Sequence, residues 1–472
     1  MSTLTRRNWV TSSIAATSLA ASKSSKAAEP VSNKPNIVLV ISDQFRADNL
    51  GCLGSNPMNL TPNLDALARQ GTLFRTAMAN QPVCAPARAT MFTGQFPEKH
   101  GVWHNGPGLP AGVPTLASEL RKAGYTANYI GKWHLSAGAP GAVPLESRGG
   151  FNDLWEASNA LEHTSHAYEG EMFDGDGNPI RFSGTYRTDF LTARAVRFLK
   201  EKKTTAPFFL TVSYLETHHQ NDLDVFQPPK KYEGQFKNPF VPPDLRPLPG
   251  SWPSQLADYY GCVKGIDDAI GTIAETLRAE HLMENTIFVF TSDHGCHFKT
   301  RNTEYKRSPH ESSIHIPLII CGPGFNKRLE ISELVSQVDL APTLLTAAGV
   351  NVPASTQGQK IQALIDRSTD NWQNEVYIGL REFVTGRVLR TQQWSYAVMA
   401  PKRSGWRPVE GADLYVEYML YDNYADPAQQ TNLMGRAESR AITEQLRQRL
   451  LERIKSAGGE NPTIEPAWFP YS

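Results

Sequence analysis

Short, mostly apolar runs, separated by helical patterns, are the feature that most restricts how this chain can fold. The runs occupy residues 36–41, 126–130, 207–214, 286–291 and 316–321. A strand that is apolar along its whole length is typical of a sheet covered by helices on both faces. Helical patterns lie between the runs, at residues 61–70, 115–123, 188–203 and 256–280. The alternation predicts an α/β fold with a large, mostly parallel or mixed sheet between helices.

The pattern changes after about residue 366. Short strand patterns follow at residues 376–380, 387–391, 395–399 and 417–421, and a helical pattern follows at 437–456. We therefore expect a larger domain over residues 35–365 and a smaller C-terminal domain over residues 366–472, built from an antiparallel sheet plus a helix. Residues 136–185 and 219–254 are rich in Gly, Pro and polar residues, which predicts two long loops that either build a site or are disordered.

The N-terminal residues predict export from a bacterial cell. A twin arginine, Arg6-Arg7, precedes a weakly apolar stretch at residues 9–21, and a small-x-small pattern follows at residues 25–27. This arrangement is typical of a Tat-type signal, here residues 1–28, which would make the Tat translocon a partner and the location periplasmic or extracellular. The apolar runs of the chain are too short for a transmembrane helix, so no membrane anchor is expected.

Charge and cysteine content exclude two further classes of protein. The chain has 47 Lys and Arg residues against 47 Asp and Glu residues, so it lacks the excess positive charge expected of a nucleic-acid-binding protein. Its five cysteines are odd in number and too sparse for a disulfide framework. Their positions are Cys52, Cys84, Cys262, Cys296 and Cys321. Pairing after export, such as Cys52 with Cys262, stays open at this point.

Polar side chains with metal-binding or anion-binding chemistry follow four of the predicted strands. They are Asp43 and Gln44, Lys132 and His134, His218, and Asp293 and His294. In open α/β sheets, ligands bind in the crevice beyond the carboxyl ends of the strands. We therefore expect these side chains to meet in one crevice.

The segment from Cys84 to Gly94 indicates the chemistry of that crevice. It contains a Cys-x-Pro-x-Arg pattern from Cys84 to Arg88, with Thr93 preceding Gly94. The segment resembles the signature of the type I sulfatases, which belong to the alkaline phosphatase superfamily. In that family a formylglycine-generating enzyme oxidises the cysteine to formylglycine (3-oxoalanine), whose hydrate is the nucleophile. The resemblance implies an alkaline-phosphatase-like fold, a catalytic sulfatase domain at residues 35–365, and hydrolysis of a sulfate ester.

Further segments resemble the same family along most of the chain. They are residues 36–44 and 286–295, each similar to a metal-binding strand, 131–135, 305–311, 338–344 and 420–433. The resemblance implies one divalent metal bound by Asp43, Gln44, Asp293 and His294 together with residue 84. Many sulfatases carry Asp and Asn where Gln44 and His294 stand, so this site has fewer carboxylates. Ca²⁺ is the expected ion, and Mn²⁺ is the alternative.

The remaining roles implied by the resemblance follow from the charge of a sulfate ester. Arg88, Lys132 and Lys306 would stabilise negative charge on the sulfate oxygens in the transition state. His218 and Lys306 would protonate the leaving alcohol. His134 would deprotonate the second hydroxyl of the sulfated hemiacetal, so that sulfate leaves and the aldehyde forms again.

Substrate contacts are predicted at positions outside this set. They are His104, Asn105, His219 and Arg301. His297 forms a His-x-x-His pattern with His294, but a zinc pair is not expected there.

Three hypotheses about function remain after this reasoning. The leading one is an exported hydrolase that acts on a sulfated carbohydrate or a small sulfate ester. The second is a phosphonate or phosphate monoester hydrolase or a choline-sulfate hydrolase, because the Asp-Gln and Asp-His pairs also occur in such relatives. The third is an inactive relative that binds sulfated glycans, which should have lost Cys84, Lys132 or Asp293, all of which are present.

Overall fold

Twelve strands form one large sheet in the computed structural model of the chain, which describes residues 34–202, 205–401 and 408–467. The predicted export signal at residues 1–28 lies outside the described residues. The strands are β1 Asn36–Ser42, β2 Thr72–Met78, β3 Thr126–Lys132, β4 Trp155–Ser158, β5 Ser165–His166, β6 Glu169–Phe173, β7 Pro179–Ser183, β8 Phe208–Tyr214, β9 Thr286–Ser292, β10 His315–Cys321, β11 Leu329–Ile331 and β12 Val335–Ser336.

The sheet is mixed, with a parallel centre. Its strand order is β11-β2-β10-β9-β1-β8-β3-β4-β6-β5, with β12 beside β2 and β7 beside β6. Strands β9, β1, β8, β3 and β4 are parallel to one another. Strand β10 runs antiparallel to both β9 and β2, and β6 runs antiparallel to β4. The predicted mixed sheet is confirmed.

Helices cover both faces of the sheet. They are α1 Pro62–Gln70, α2 Cys84–Thr93, α3 Pro97–His100, α4 Leu116–Lys122, α5 Leu161–Thr164, α6 Arg187–Glu201, α7 Trp252–Ala279, α8 Glu311–Ile314, α9 Leu340–Ala347, α10 Gln362–Ile365 and α11 Arg440–Ala457. Single 3₁₀ turns lie at Ala47–Asn49, Gly51–Leu53, Leu145–Ser147, Lys230–Tyr232, Met283–Asn285, Gln337–Asp339 and Ala437–Ser439. Helices α1, α6 and α7 contribute to the apolar core on one face, and α2, α4 and α9 contribute to the core on the other.

The central strand shows why continuous apolar runs were required. Every residue of β1 is buried. Val38 and Val40 face the core that contains α7, whereas Ile37, Leu39 and Ile41 face the core that contains α2. Each such side chain contributes roughly 1.5–3 kcal/mol when it is fully buried, so a polar residue within β1 would be costly on either face.

A second, smaller sheet follows the large one in the chain. It contains β13 Glu375–Leu380, β14 Gly386–Thr391, β15 Trp394–Met399, β16 Leu414–Asp422 and β17 Thr463–Glu465, in that order. Strands β13 to β16 are antiparallel, and α11 packs on β13 and β14. The predicted antiparallel sheet plus helix is confirmed, except that β17 pairs with β16 in parallel.

The prediction of a long loop at residues 136–185 was wrong. Residues 136–185 contain β4 and the hairpin of β6 and β7, which extend the large sheet. Each of its two strands has a single buried residue, and the exposed residues of β7 alternate, so it has no continuous apolar run to reveal it. Strand β2 was missed because polar Thr and Arg residues interrupt it. The other predicted loop, residues 219–254, contains one 3₁₀ turn before α7 begins at Trp252.

The cysteines and the helices add two observations. All five cysteines lie within the described residues, and each is a free thiol. No helix in the described part of the chain is long and apolar enough to cross a membrane.

Candidate active site

The site lies where four neighbouring parallel strands end. Strands β9, β1, β8 and β3 are adjacent in the sheet, and each ends at the same edge. Asp43 and Gln44 follow β1, Asp293 follows β9, and Lys132 is the last residue of β3. His218 lies in the turn that follows β8. The structure therefore brings the predicted strand-end residues into one crevice.

Helix α2 places Cys84 above this edge. Cys84 is the first residue of the helix and is 1% exposed. Its Sγ lies 2.9 Å from Lys306 Nζ, 3.3 Å from His294 Nε2 and 3.7 Å from Lys132 Nζ. The positive end of the helix dipole lies at the same point. The surroundings of residue 84 thus favour a negatively charged side chain.

The pKa of the Cys84 thiol reflects these neighbours. Burial acts to raise it, but Lys132, Lys306 and His294 outweigh burial and hold the pKa well below its usual range. A thiol with such neighbours ionises readily and is reactive, whereas a structural buried cysteine is inert. Burial instead raises the pKa of Cys296 to about 12, so this nearby cysteine behaves as a structural residue.

A group of side chains around Cys84 fits a divalent metal ion. One donor atom from each of Asp43, Cys84, Asp293 and His294 lies within 4.8 Å of the others. Gln44 Oε1 is buried and has no hydrogen-bond partner among the described residues, which leaves a neutral oxygen donor beside this group. Oxygen donors with one imidazole suit Ca²⁺ or Mn²⁺.

The two carboxylates of the group respond differently to their surroundings. Burial and Cys84 act to raise the pKa of Asp43, but Lys132, His218 and Lys306 outweigh them and hold it below its usual range. Burial, and next the charge of Asp43, raise the pKa of Asp293. A bound cation would relieve the repulsion between the two carboxylates, which supports the same conclusion about a metal.

Arg88 fixes the carboxylates from below. Its side chain is completely buried, with Nη2 3.2 Å from Asp43 Oδ2 and Nε 3.1 Å from Asp293 Oδ2. Arg88 Nη1 donates to the Lys132 carbonyl at 2.9 Å and to Ser213 Oγ at 2.7 Å. Arg88 therefore connects β1, β9, β3 and β8 and orients the candidate metal ligands rather than facing the cleft.

Lys132 is held between two carboxylates. Its Nζ lies 2.8 Å from Asp43 Oδ2 and 2.9 Å from Glu162 Oε1, and its side chain has no exposed area. Burial acts to lower the pKa of Lys132, but Asp43, Cys84 and Glu162 outweigh it and raise the pKa. Lys132 is thus a permanent cation.

Lys306 and His218 form the opposite wall. Lys306 Nζ lies 3.1 Å from His218 Nε2 and 3.2 Å from His294 Nε2. His218 Nδ1 contacts the carbonyl of His219 at 2.6 Å, which fixes the orientation of the ring. His218 Nε2 is therefore the ring nitrogen that faces Lys306 and Cys84.

Backbone conformation at the site is unusual at two predicted residues. Gln44 and His134 have φ angles of 66° and 62°, a region that costs non-glycine residues energy and is common at functional sites. Gln44 N donates to Asp293 Oδ1 at 3.1 Å, and His134 N donates to the Asn159 carbonyl at 2.6 Å. These contacts hold both side chains toward the crevice edge.

Gly131 is required by the same geometry. Its φ is 107°, and a Cβ there would lie 2.0 Å from the Ser213 carbonyl oxygen. Only glycine fits, because β3 must approach β8 closely just before Lys132.

A cavity of about 390 Å³ lies over Cys84, and we call it the active-site cavity. His134, His218, His219 and Lys306 line it. Asn105 also lines it, and Asn105 Oδ1 accepts from Ala85 N at the start of α2. His219 stacks on His218 with ring centroids 4.4 Å apart. These residues meet at the site, as the sequence predicted.

Two predicted substrate contacts, His104 and Arg301, and the possible zinc ligand His297 do not line the active-site cavity. His104 is partly exposed and its Nδ1 contacts the carbonyl of Asn105. Arg301 Nη2 donates to the carbonyls of Ala428 and Gln429 in the C-terminal part of the chain. Substrate contact by either stays a prediction. His297 Nε2 donates to the Lys306 carbonyl at 3.0 Å, so it supports the backbone of that lysine.

Sequence reasoning missed Glu162, Arg307 and Glu382. Glu162 lies in the segment expected to be a loop, and no pattern marks it. Arg307 adjoins Lys306 in the sequence and lines the active-site cavity. Glu382, from the smaller sheet, pairs with Arg307 Nη2 at 2.8 Å and accepts from Asn105 N. Of these three residues, only Arg307 had a sequence signal, which was its position next to Lys306.

The fold and the site together define a class of enzyme. A buried, readily ionised cysteine at a helix N-terminus, buried cations and a metal-fitting group at the end of parallel strands are suited to esters of tetrahedral oxyanions. The architecture is the alkaline-phosphatase-like fold. The chain is therefore a hydrolase of that superfamily.

Comparison with known families gives the particular family. The sulfatase family model matches residues 35–350, so the chain belongs to the sulfatase family. A second family model, described as N-sulphoglucosamine sulphohydrolase, C-terminal, matches residues 303–456. The enzyme is a sulfatase, as the segment at Cys84 predicted.

Individual relatives agree with this assignment. The ulvan-active sulfatase of Formosa agariphila is 31% identical over 447 residues, which cover 90% of this chain and 82% of that protein. The N-acetylglucosamine-6-O-sulfatase of Bacteroides thetaiotaomicron is 24% identical over 513 residues, covering 91% and 88%. The phosphonate monoester hydrolase structure from Agrobacterium radiobacter shares the fold, with a TM-score of 0.66 at 22% identity, covering 90% and 96%.

Proposed function

We propose that this sulfatase releases inorganic sulfate from a sulfated carbohydrate, using residue 84 after its oxidation to formylglycine. The observation that carries the proposal is the position of Cys84. It lies in the sulfatase signature, at the first residue of α2, beside two lysines and the metal-fitting group. The similarity to an ulvan-active sulfatase supports a carbohydrate substrate.

Asp43, Gln44, Asp293 and His294, together with residue 84, would hold one divalent metal. When bound, such an ion supplies positive charge to the sulfate group and lowers the pKa of a hydroxyl at residue 84. Ca²⁺ is the proposed ion and Mn²⁺ the alternative, because the donors are oxygens with one imidazole. Arg88 would keep Asp43 and Asp293 in place for this role.

Two lysines would act on the reacting groups. Lys132 stabilises negative charge on residue 84 and on the nearest sulfate oxygen, since it is a permanent cation 3.7 Å from Sγ. Lys306 binds the sulfate group from the opposite wall. Fixed cations in a water-poor site are most effective where negative charge grows in the transition state.

Two histidines would move protons. His218 Nε2 faces Lys306 and the cleft, so it can give a proton to the leaving alcohol oxygen. His134 lines the cavity on the other side, and the buried Nδ1 of its ring has no hydrogen-bond partner among the described residues. His134 would take a proton from the hydroxyl of residue 84 so that sulfate can leave.

Maturation and location belong to the same proposal. A formylglycine-generating enzyme would convert Cys84 before the folded protein leaves the cell through the Tat translocon. The twin arginine and the small-x-small pattern at residues 25–27 support export to the periplasm or beyond. The balanced charge of the chain supports a partner other than nucleic acid.

A second candidate function is hydrolysis of a phosphonate or phosphate monoester, or of choline sulfate. The donor set favours it, because Gln44 and His294 replace the Asp and Asn of many sulfatases. The similarity in fold to a phosphonate monoester hydrolase is consistent with it.

The test measures release of inorganic sulfate from defined sulfated saccharides, an aryl sulfate and choline sulfate, beside release from matched phosphonate and phosphate monoesters. We expect the highest kcat/KM for a sulfated saccharide. A higher kcat/KM for a phosphonate ester would replace the proposal by the second candidate.

The role of residue 84 has its own measurement. Mass spectrometry of the tryptic peptide that contains residue 84 should show the aldehyde in active protein. Cys84→Ala should abolish sulfate release while the urea midpoint of unfolding stays near that of the parent. Active protein with only unmodified thiol at this position would contradict the formylglycine mechanism.

A further inference from the structure

A second cavity lies beside the active-site cavity. Its volume is about 1000 Å³, against about 390 Å³ for the active-site cavity. Glu162, His163 and Asn221 line both, so the two are continuous. A cavity of this volume is at the upper end of small-ligand sites, so it has room for more of a substrate than the sulfated unit alone.

The charged residues of this second cavity are mostly acidic, and we call it the acidic arm. Four carboxylates line it, from Glu162, Glu169, Glu171 and Asp222, and Arg181 is the only Arg or Lys among its described lining residues. Arg181 Nε lies 3.2 Å from Glu171 Oε2, so its charge is already paired. The arm therefore offers an anion no unpaired Arg or Lys.

The active-site cavity differs because it contains an unpaired lysine. Its Lys299 is paired with Asp224. Its Arg307 is paired with Glu304 and Glu382. Lys306 has no carboxylate within 4.0 Å among the described residues, and Lys132 lies directly beneath. A substrate that occupies both cavities therefore meets an unpaired lysine at one end and, in the acidic arm, carboxylates with no unpaired Arg or Lys at the other. Like charges brought close together in a partly buried cleft repel each other strongly enough to select between substrates.

Glu162 lies at the junction of the two cavities. It is 6% exposed, and its Oε1 is paired with Lys132 Nζ. Its Oε2 has no hydrogen-bond partner in the described part of the chain. An unpaired buried acceptor is costly, and a hydroxyl donor from a ligand in the cleft would satisfy it.

The rest of the arm also suits hydroxyl groups. Asp222 Oδ2 contacts His166 Nε2 at 2.9 Å, and Asp222 Oδ1 accepts from Gln220 Nε2 at 2.9 Å. Carboxylates, imidazoles and amides offer both donors and acceptors. A neutral sugar presents hydroxyl groups that match them, whereas each sulfate or carboxylate group on that sugar presents only acceptors and negative charge.

We infer that the acidic arm binds an uncharged sugar next to the sulfated unit, so the enzyme selects glycans with isolated sulfates over densely sulfated ones. This inference rests on the proposed function. It names a substrate class that the catalytic residues alone do not define.

The test compares three substrates with the same sulfated unit. The first is the sulfated monosaccharide, the second carries a neutral neighbouring sugar, and the third carries that neighbour with one further sulfate. We expect the neutral neighbour to raise kcat/KM over the monosaccharide. The further sulfate should lower kcat/KM by roughly tenfold relative to the neutral neighbour, and added salt should reduce this difference.

A charge variant tests whether the arm is the cause. Glu169→Gln combined with Asp222→Asn should raise kcat/KM for the doubly sulfated substrate toward the value for the neutral one. Glu284→Gln is the matched control, because Glu284 is exposed and precedes β9 at the opposite edge of the sheet. This control should leave all three values unchanged.

Equal kcat/KM for the second and third substrates, or preference for the third, would overturn the inference while leaving the sulfatase assignment intact. Absence of sulfate release from every substrate, an aryl sulfate included, would instead overturn the proposed function. In that case equilibrium binding of the second and third saccharides to the Cys84→Ala protein still decides about the arm. Tighter binding of the neutral-neighbour saccharide supports it, and equal binding overturns it.

Discussion

Replacement of Lys132 by methionine should separate the structural and catalytic roles of this lysine. Lys132 Nζ lies between Asp43 Oδ2 and Glu162 Oε1 at 2.8 and 2.9 Å, with no exposed area. Lys132→Met keeps most of the side-chain volume but leaves Glu162 as a buried carboxylate without its cation. Breaking a buried ion pair from one side costs about 3–5 kcal/mol.

The pKa of Glu162 gives an independent magnitude. Burial acts to raise this pKa, but Lys132, His134 and His218 outweigh burial and lower it from 4.5 to about 2. At about 1.4 kcal/mol for each pH unit, the lowering corresponds to about 3 kcal/mol of stability. Because the folded pKa is the lower one, this stability is complete above about pH 4.5 and is lost as the pH falls through about 2.

Urea unfolding and enzyme kinetics measure the two roles. At pH 7 we expect Lys132→Met to lose about 3 kcal/mol of unfolding free energy. The difference from the parent should begin to shrink above pH 4.5 and keep shrinking as the pH falls toward about 2, because burial without Lys132 raises the pKa of Glu162 in the variant. In kinetics, kcat/KM for an aryl sulfate should fall roughly a hundredfold or more, the size typical of a lost oxyanion-stabilising group.

A double variant and a surface control make the result interpretable. Lys132→Met with Glu162→Gln should recover most of the stability but none of the activity, because a neutral amide needs no cation. Lys122→Met should change stability by under about 1 kcal/mol, since Lys122 is 71% exposed and pairs with Glu119 on the surface. A double variant as unstable as the single one, or a single variant with activity within about threefold of the parent, would refute this reasoning.

Three further outcomes are expected. Protein purified without added metal should contain close to one equivalent of Ca²⁺ or Mn²⁺ by elemental analysis, and Asp293→Asn should lose both metal and sulfate release; full activity without metal would exclude this site. His218→Ala should impair sugar-sulfate cleavage far more than cleavage of an activated aryl sulfate, whose leaving group needs no proton; equal losses in kcat/KM would contradict this role. Glu382→Gln should raise KM more than it lowers kcat, because it frees Arg307 and Asn105 at the cavity rim; an unchanged KM, as expected for the control Glu284→Gln, would contradict this.

The sequence was most informative for site residues that directly follow a predicted strand or lie in the segment from Cys84 to Gly94. Mostly apolar runs located the central parallel strands, and the residues after them met at one edge because parallel strands end together. The segment at Cys84 indicated the reaction. Strands β6 and β7 could not be predicted in this way, because their stability comes from pairing at the sheet margin rather than from an apolar run.

Contacts between distant segments were also beyond sequence reasoning. Glu162 is 30 residues from Lys132, and Glu382 is 277 residues from Asn105. No local pattern marks a carboxylate that will pair with a lysine or a backbone amide brought near it only by folding. Such pairs become visible when the sheet order and the position of the smaller sheet are known.

Of the three cations beside residue 84, Arg88 and Lys132 are paired with carboxylates and Lys306 is not. Arg88 pairs with Asp43 and Asp293, and Lys132 pairs with Asp43 and Glu162. Lys306 Nζ has no carboxylate within 4.0 Å in the described ranges, and its near neighbours are Sγ of residue 84 and two imidazole nitrogens. Because an unpaired buried cation is costly, an arriving sulfate group gains most from Lys306. We therefore propose unequal roles for the three cations: Arg88 would orient the metal ligands, Lys132 would set the charge of residue 84, and Lys306 would bind the substrate anion.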